Sequence, residues 1–556
     1  MSVTLHFNNQ QSGVRVGATL FECAESLGIR VPTSCIKQGK CKECMVEVVE
    51  GMEFLSERSP KENHLRDNFR LSCQTKIVSE KGNIRCHTMR RGAMKVERQA
   101  MHLPANHLTM KIDPCVTRDG ERILIDGTEI SRSSGPIYGL ALDLGTTTIV
   151  LRLLNLETGE IVADSSFENP QRFGGSDVMS RIHYDTHHRG KLLQRTLAGY
   201  LTHAIEEFPV DPKSIYEMVV AGNSTMRDLF FGLNVYSIGQ NPYQSLTEIE
   251  VKEGTRITTS LTATPRRLLL PMHPKGRVYG LPVISGHVGA DAAACMLAVD
   301  ILNEERLIAV MDIGTNTEII VGNKHKIVAA SCPAGPAFEG GKISCGMPGL
   351  PGAIEKAAIR EDGSVQCSVI DNVAAEGICG SGLVDIISEL LRTGKMNSLG
   401  RFEEGNNEII LDSNAEQKIF LSESDVNELA QAKGANVAGL HIVFHHYGIR
   451  FDDVDLFYLA GGFGRHLDVA SAKRIGLIPN IGDSKIVQVG NASIEGASIA
   501  LLSRMKRAEL EEAVKRTTHC RLESDPNFFN YFVDGCQFTP VESASEYHSG
   551  DITRHA

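Results

Sequence analysis

The first ninety residues consist of short runs in which apolar and polar side chains alternate, separated by turn-forming residues. Val3–Phe7 and Val14–Val16 lie on either side of a polar, turn-forming stretch, and together they predict a β-hairpin. A capping-box signature at Thr19 predicts a short helix that Gly28 closes. Met45–Val49 is a further apolar run that predicts a strand. The pattern therefore predicts a small β-rich domain.

The pattern changes further along the chain. The residues that follow the β-rich domain are first basic and then irregular and proline-containing, which is typical of a linker. From Ile137 onwards, short β-rich runs ending in Gly, Thr or Asn alternate with amphipathic helical stretches, the pattern of an α/β fold. The predicted divisions are a domain at 1–90, a linker at 91–136, a middle domain at 137–210, a C-terminal domain at 211–540 and a polar tail at 541–556.

The α/β region contains an internal repeat. Ala141–Thr148 recurs as Val310–Thr317, and both segments read apolar-apolar-Asp-apolar-Gly-Thr-x-Thr. Val219–Ser224 and Tyr458–Gly464 form a second pair, in which an apolar strand runs into a glycine turn. Because the repeated elements occur in the same order, they predict two related halves.

Composition and charge narrow the class of protein. The chain has 556 residues, of which 42% are hydrophobic and 22% charged, so it is expected to form several domains. A net charge of -11 argues against nucleic acid or an anionic membrane as the main partner. The opening residues lack the basic and apolar regions of a secretory signal, and no apolar run is long enough to span a bilayer. We therefore expect a cytoplasmic protein.

Four of the 14 cysteines have the spacing of a metal or cluster site. Cys35, Cys41 and Cys44 follow the pattern C-x5-C-x2-C, and Cys73 follows after 28 intervening residues. Four thiolates of this kind hold both irons of a [2Fe–2S] cluster, and residues 1–85 resemble the mitochondrial-type ferredoxins. The alternative is a zinc site, which usually takes two close pairs of cysteines, whereas the fourth cysteine here is single and distant.

The repeated Asp-x-Gly-Thr segments are suited to binding phosphate. A glycine at a hairpin turn lets backbone N–H groups approach a phosphate closely, and threonine hydroxyls donate to its oxygens. The predicted contacts are Gly145, Thr146, Thr147 and Thr148 in the first half and Gly314, Thr315, Asn316 and Thr317 in the second. Asp143 and Asp312 can hold Mg²⁺, and Gly461 and Gly462 leave a flat surface for adenosine. One hairpin from each half would clamp the β- and γ-phosphates of ATP.

Two acidic residues are candidates for orienting the water that hydrolyses ATP. Glu318 comes just after the second phosphate segment, and Asp291 lies in a glycine-rich turn before a helix. Either residue could equally be a salt-bridged structural acid.

The nucleotide motifs resemble those of the acetate and sugar kinase/Hsp70/actin (ASKHA) superfamily. This resemblance implies two ribonuclease-H-like α/β halves, here preceded by an α+β domain of the β-grasp ferredoxin type. It makes the hairpins at Asp143 and Asp312 the phosphate motifs and Gly461-Gly462 the adenosine motif.

Over about residues 1–530 the chain resembles the reductive activators of corrinoid-dependent enzymes. The resemblance is carried by Asn169-Pro170-Gln171, Gly175-Ser176-Asp177-Val178, Ser180-Arg181-Ile182, Gly222-Asn223-Ser224-Thr225-Met226, Gly289-Ala290-Asp291, Pro333–Gly340 and Cys379–Leu383. It implies an ATPase that passes one electron from a [2Fe–2S] cluster to the corrinoid protein of a methyltransferase system, reducing Co(II) to Co(I). It also implies an upstream electron donor and a homodimer.

Three other functions remain open at the level of sequence. The first is an ATP-driven activator of a radical dehydratase or reductase, although such proteins normally hold a [4Fe–4S] cluster between two subunits. The second is a small-molecule kinase with an accessory redox domain. The third is a binding protein that holds nucleotide without turning it over.

Overall fold

A computed structural model describes residues 3–8, 10–33, 35–89, 102–105, 107, 110–403, 407–413, 418–462, 464 and 466–543. Packing divides the described residues into two compact units. The first unit comprises those within Met1–Arg98, Leu103–Val299 and Ala492–Lys515, and the second those within Gln99–His102, Asp300–Asn491 and Arg516–Ala556.

The strands are β1 Val3–Phe7, β2 Gln10–Val14, β3 Met45–Glu50, β4 Phe69–Leu71, β5 Asn83–His87, β6 Val116–Asp119, β7 Arg122–Ile125, β8 Thr128–Arg132, β9 Tyr138–Leu144, β10 Thr148–Asn155, β11 Ile161–Glu168, β12 Ile215–Gly222, β13 Leu261–Ala263, β14 Arg277–Gly280, β15 Ile308–Asp312, β16 Thr317–Gly322, β17 Ile327–Cys332, β18 Ala353–Ile359, β19 Val365–Val369, β20 Gly377–Ile378, β21 Glu408–Ser413, β22 Lys418–Ser422, β23 Leu456–Ala460, β24 Ile486–Gly490 and β25 Thr517–His519. The α-helices are α1 Leu20–Ser26, α2 Val178–His187, α3 Leu192–Glu206, α4 Ser224–Phe231, α5 Leu246–Lys252, α6 Ala290–Ala298, α7 Gly380–Arg392, α8 Glu423–Tyr447, α9 Val469–Arg474, α10 Ala492–Leu502, α11 Arg504–Arg516 and α12 Phe528–Gly535. In the part of the chain described, no helix combines the length and apolar character needed to cross a bilayer.

The N-terminal module is a five-stranded sheet in the order β2-β1-β5-β3-β4, with β1 parallel to β5 and the other pairs antiparallel. The predicted helix is present, and Thr19 and Glu22 form its capping box. The second strand of the hairpin is Gln10–Val14 rather than the predicted Val14–Val16. It is an exposed edge strand, so its residues are polar and its apolar pattern is weak.

Each unit is built on a six-stranded sheet, and the two sheets share one strand order. Five strands run β11-β10-β9-β12-β14 in the first unit and β17-β16-β15-β23-β24 in the second. In both sheets the first three of these strands are antiparallel and the last two run parallel to the central one. This equivalence confirms the predicted internal repeat and the two ribonuclease-H-like halves.

The first sheet is covered closely by helices. Every residue of β12 is buried, because this strand lies between β9 and β14 and has side chains packed on both faces. Helices α6 and α10 pack together on this sheet. A Cβ atom placed on Gly496 of α10 would lie 2.0 Å from the Ala294 carbonyl oxygen of α6, so this helix contact requires glycine. Helix α10 therefore completes the first unit, although it directly follows β24 of the second sheet.

The N-terminal module packs against the region around α2 and α3 within the first unit. The Tyr184 hydroxyl donates to the His64 carbonyl oxygen at 3.0 Å, and Tyr184 also packs edge-to-face on Phe173. An ion pair joins Arg30 of the module to Glu206 at 2.9 Å. The Tyr184 contact is partly buried, whereas exposed ion pairs such as Arg30–Glu206 contribute little.

The segment predicted as a linker at 91–136 includes the three-stranded sheet β6-β7-β8. Its strands are short and mostly exposed, so their apolar pattern gives little signal. The predicted domain boundaries stay predictions. The two compact units each combine segments from distant parts of the sequence, so they do not test boundaries along the chain.

Asp385 on α7 provides a pH-dependent test of the second unit. Its side chain is 9% exposed, and burial together with the nearby Asp468 carboxylate raises its pKa from 3.8 to about 6. The folded state therefore binds more protons between pH 3.8 and 6, so this group costs stability as pH rises through that window. We expect Asp385→Asn to increase the free energy of unfolding at pH 7 by about 1–3 kcal/mol.

Urea unfolding at pH 7 and pH 5 measures this effect. The gain should shrink at pH 5, and the exposed control Asp362→Asn should show no comparable gain. An unchanged or lowered stability of Asp385→Asn at pH 7 would contradict the assignment.

Candidate functional site

Strand pairing in the N-terminal module brings two of the predicted cluster cysteines together. Cys44 directly precedes β3, Cys73 follows β4, and these strands pair so that Met45 faces Leu71. The Cys44 thiol donates to Cys73 Sγ at 3.3 Å. This shared hydrogen bond lowers the pKa of Cys73 to about 6 and raises that of Cys44, so one of the two readily becomes a thiolate.

Cys35 and Cys41 form a second pair at the ends of the cysteine loop. Partial burial opposes ionisation of Cys35, but hydrogen bonds from the backbone and thiol of Cys41 outweigh it and lower the Cys35 pKa. The Lys40 N–H donates to Cys35 Sγ at 3.3 Å. Gly39 has φ +66°, and a Cβ there would lie 2.8 Å from Gln74 Cδ, so the loop wraps tightly at this glycine.

The paired arrangement suits a sulfur-ligated group with two metal atoms. The Gln74 amide donates to Cys73 Sγ at 3.2 Å, so N–H donors reach one sulfur of each pair. Among the residues described, no three His, Cys, Asp or Glu side chains converge as they would around a single metal ion. The donor set fits a [2Fe–2S] cluster better than tetrahedral zinc.

The first hairpin predicted to bind phosphate joins β9 to β10 in the first unit. A Cβ on Gly145 would lie 2.5 Å from the Thr148 carbonyl oxygen, so the turn requires glycine. Thr147 lies in the same turn, and Thr148 begins β10. The Thr146 hydroxyl, which is buried, accepts a hydrogen bond from the Asn223 amide at 2.9 Å. The structure thus places the predicted residues 145–148 on one tight hairpin.

Three polar residues that were not predicted support this hairpin. Asn169 donates from its amide to the Gly145 carbonyl at 2.8 Å and from its backbone N–H to the Thr147 carbonyl at 2.6 Å. Ser493 donates to Asp143 Oδ1 at 2.9 Å. Asn223 lies beside the turn because Gly222 pairs with Leu144 in the parallel ladder of β12 and β9.

Asp291 lies in the first turn of α6, close to Asn223, which supports the hairpin. Its Oδ1 accepts from the Ala292 N–H at 2.9 Å. A Cβ on the preceding Gly289 would lie 2.4 Å from Asn223 Cα and 2.6 Å from Asp291 Oδ1. Asp291 is therefore a near neighbour of Asn223, which binds Thr146.

The second hairpin predicted to bind phosphate joins β15 to β16 in the second unit. Gly314 is less constrained than Gly145, since an added Cβ would meet nothing closer than the Asn316 carbonyl oxygen at 3.2 Å. The Thr315 hydroxyl forms a short hydrogen bond with Glu339, a residue that the sequence reasoning did not assign. Asn316 Oδ1 and Thr317 Oγ1 are buried without a hydrogen-bond partner among the described residues. Such orphaned polar atoms suit a polar ligand.

Asp312 and Gly461 lie side by side at the ends of β15 and β23. Gly461 has φ +111°, and a Cβ there would lie 2.3 Å from the Ile313 carbonyl oxygen and 3.2 Å from Asp312 Oδ1. Gly462 follows in the same turn. Glu318 faces Asp312 across the β15–β16 pair, is buried, and accepts from the Ser331 hydroxyl at 3.0 Å. The predicted roles of these residues stay predictions.

Fold and site together define an ASKHA-type α/β protein that carries an N-terminal iron–sulfur module. Residues 6–78 match the 2Fe-2S iron-sulfur cluster binding domain, residues 138–304 the RACo middle region, and residues 306–549 the C-terminal ASKHA domain of RACo. The chain is 34% identical over 447 residues to the corrinoid activation enzyme RamQ of Eubacterium limosum, covering 75% of this chain and 73% of that protein. The chain therefore belongs to the family of RACo-type corrinoid activation enzymes.

Two further comparisons agree with this family. The [Co(II) methylated amine-specific corrinoid protein] reductase of Methanosarcina barkeri is 27% identical over 425 residues, covering 71% of this chain and 76% of that protein. A solved structure of a reductive activator for corrinoid, iron-sulfur protein has a TM-score of 0.71 at 27% identity, covering 97% of this chain and 99% of that one. The cofactors of this chain are thus a [2Fe–2S] cluster and ATP.

Proposed function

We propose that this chain uses ATP to transfer one electron from its [2Fe–2S] cluster to a corrinoid protein, reducing Co(II) to Co(I). The partner would belong to a methyltransferase system whose cobalt has become oxidised. The observation that carries the proposal is the pairing of four thiols, two by two, in the same compact unit as a glycine phosphate hairpin. The names of the relatives support the choice of a corrinoid protein.

Cys35, Cys41, Cys44 and Cys73 are the ligands in this proposal. The pair Cys35–Cys41 holds one iron and the pair Cys44–Cys73 the other. When bound, the cluster supplies a single low-potential electron. Backbone and side-chain N–H groups of Lys40 and Gln74 donate to the ligating sulfurs and so stabilise their negative charge.

ATP binds through the two glycine hairpins in this proposal. Residues 145–148 and 314–317 donate to phosphate oxygens, Asp143 and Asp312 hold Mg²⁺, and Gly461-Gly462 accommodates adenosine. Glu318 and Asp291 are the proposed bases, of which Asp291 lies near Thr146 through Asn223.

ATP is needed because the electron moves uphill. Plant-type [2Fe–2S] clusters have potentials of about −400 mV. Each 100 mV by which the potential of the cobalt acceptor lies below that of the cluster costs ~2.3 kcal/mol per electron. ATP provides this free energy only if it binds one state of the complex with the corrinoid protein more tightly than another.

The setting of the reaction is part of the proposal. None of the 14 cysteines, all of which lie in the described ranges, forms a disulfide, which supports a reducing compartment such as the cytoplasm. The chain receives its electron from an upstream donor. It acts as a homodimer, and light scattering of the holoprotein tests the oligomeric state.

Co(II) reduction followed by visible spectroscopy tests the function. Pre-reduced holoprotein is mixed with a Co(II) corrinoid protein and with ATP, ADP, a non-hydrolysable analogue or no nucleotide. Co(I) should form with ATP only if hydrolysis is required. It should form with both ATP and the analogue if nucleotide binding alone drives the electron transfer. Equal rates with and without ATP would contradict the proposal.

Asn169 is expected to control ATP binding through the first hairpin. Its two donors bind the Gly145 and Thr147 carbonyls and so fix the shape of the turn that is proposed to bind phosphate. Asn169→Asp removes the amide donor and adds a negative charge, so we expect the KM for ATP to rise about tenfold, equivalent to about 1.4 kcal/mol.

Asn155→Asp is the matched control for this change. The Asn155 side-chain oxygen accepts from the Glu157 N–H at 2.8 Å, and aspartate keeps that acceptor. Steady-state ATPase assays should give this variant a wild-type KM. A lower melting temperature for Asn169→Asp with an unchanged KM would mean that Asn169 is only structural.

A further inference from the structure

Three lysines surround the cysteine loop and form what we term the basic rim: Lys40, Lys42 and Lys61. The Lys61 side chain crosses the loop at Gly39, where an added Cβ would lie 2.9 Å from Lys61 Cδ. Its ammonium group donates to the Gln38 carbonyl at 2.8 Å, and Lys42 donates to the Lys61 carbonyl. Lys40 is exposed beside Cys41.

The positive charges of the basic rim are not cancelled by neighbouring acids. Lys42 and Lys61 bind neutral carbonyl oxygens, and the Lys40 ammonium has no ion pair within the described ranges. The adjacent Glu62 is buried and already paired with Arg70 at 2.9 Å. The rim therefore presents three lysines that form no ion pair with a carboxylate of the described residues, next to the proposed cluster ligands.

The charge of the module differs from that of the chain as a whole. Residues 1–89 contain twelve Lys and Arg against ten Asp and Glu, whereas the whole chain has a net charge of -11. The bound cluster with its four thiolates adds negative charge to the module, so the lysines of the rim, rather than the net charge of the module, favour the approach of a negatively charged partner.

An exposed apolar side chain lies on the same cysteine loop. Ile36, next to Cys35, is 84% exposed and has φ +51°, a conformation that β-branched residues rarely adopt. Protein interfaces commonly place apolar residues at the centre and charged residues around them. The loop thus has the layout of a small docking site.

We propose that the basic rim and Ile36 dock an acidic one-electron carrier protein that reduces the cluster. This inference rests on the proposed function, because it assigns the donor for the same redox site. One electron leaves the carrier, which is oxidised, and enters the cluster, which is reduced; no bond forms or breaks and no proton moves.

The charges favour the donor over the corrinoid protein as the occupant. Cations beside a redox centre stabilise its more negative, reduced form. They therefore assist electron entry and oppose electron exit, which is the step that needs ATP. Long-range attraction also raises the rate of encounter with an acidic carrier at low ionic strength.

Stopped-flow reduction of oxidised holoprotein tests the docking surface without ATP or corrinoid protein. The probes are a reduced acidic ferredoxin and, for comparison, the methyl viologen radical cation. Lys40→Glu combined with Lys61→Gln should lower the second-order rate constant with ferredoxin about tenfold at low salt, and the difference should vanish at high salt. Reduction by the viologen cation should not slow.

Lys81→Glu is the control and matches the charge change of Lys40→Glu alone, because Lys81 is exposed on the same module and its neighbour Gly82 lies against Phe54 rather than the cysteine loop. Ile36→Ser is a charge-neutral second variant that should also slow reduction by ferredoxin. Cluster content is checked by absorbance, and cross-linking of ferredoxin to the holoprotein should map to Lys40 or Lys61.

Two results would overturn the inference. An equal loss in Lys81→Glu would assign the effect to net charge rather than to the rim. The second result is that ferredoxin reduces the variants at the normal rate, while the pre-reduced variants reduce a Co(II) corrinoid protein more slowly. It would show that the rim binds the acceptor and not the donor. Reduction of the cluster by ferredoxin is measured without ATP. Its result can therefore be interpreted even if ATP-driven Co(II) reduction fails.

Discussion

Cys73→Ser is expected to abolish electron transfer while leaving ATP binding intact. Cys73 receives hydrogen bonds from Cys44 and Gln74, and its pKa of about 6 makes it the most readily ionised thiol of its pair. Serine offers a far weaker ligand for iron at neutral pH. We therefore expect the variant to lose visible absorption, inorganic sulfide and the EPR signal of the reduced protein, and Co(II) reduction to fall to background.

Cys23→Ala is the control for this experiment. Cys23 is buried on α1, and burial raises its pKa to about 11, as expected of a structural thiol. This variant should keep its cluster and its activity. A Cys73→Ser protein with full sulfide content would show that Cys73 is not a ligand and would refute the proposed ligand set.

Gly461→Ala is expected to weaken ATP binding strongly and to destabilise the second unit. A side chain at φ +111° costs about 1–3 kcal/mol. The added Cβ would also lie 2.3 Å from the Ile313 carbonyl, so β23 and the hairpin must move apart beside Asp312. We expect ATP affinity to fall about 100-fold, equivalent to about 2.7 kcal/mol, measured by calorimetric titration.

Gly448→Ala separates the clash beside Asp312 from the cost of a side chain at positive φ. Gly448 ends α8 in the same unit at φ +92°, and an added Cβ there would meet nothing within 4 Å. Its affinity for ATP should stay within a few-fold of wild type. Equal losses in the two variants, or none in Gly461→Ala, would contradict the assigned role of Gly461.

The repeat is the part of the fold that the sequence predicted best. Asp143 and Asp312 stand at equivalent positions because strand, glycine turn and strand are local features with a strong pattern. The two halves nevertheless differ beside their hairpins. Asn223, which binds Thr146, corresponds to Gly462 in the second half, and glycine has no side chain that could make the same contact.

The supporting contacts could not be predicted from local sequence. Ser493 binds Asp143 from 350 residues away, and Asn223 binds Thr146 from 77 residues away. An isolated serine or asparagine has no periodicity that indicates such a partner. Only the strand order of the sheet places Asn169 and Asn223 beside the same turn.

The return of α10 to the first unit affects how the chain is made. Residues 1–299 leave the ribosome long before Ala492–Lys515, which complete the packing around α6. The N-terminal unit therefore cannot finish folding until almost the entire polypeptide has been synthesised, and its alanine-rich helix surface stays uncovered until then. Neither unit corresponds to one continuous stretch of polypeptide, so a single cleavage cannot release either of them complete.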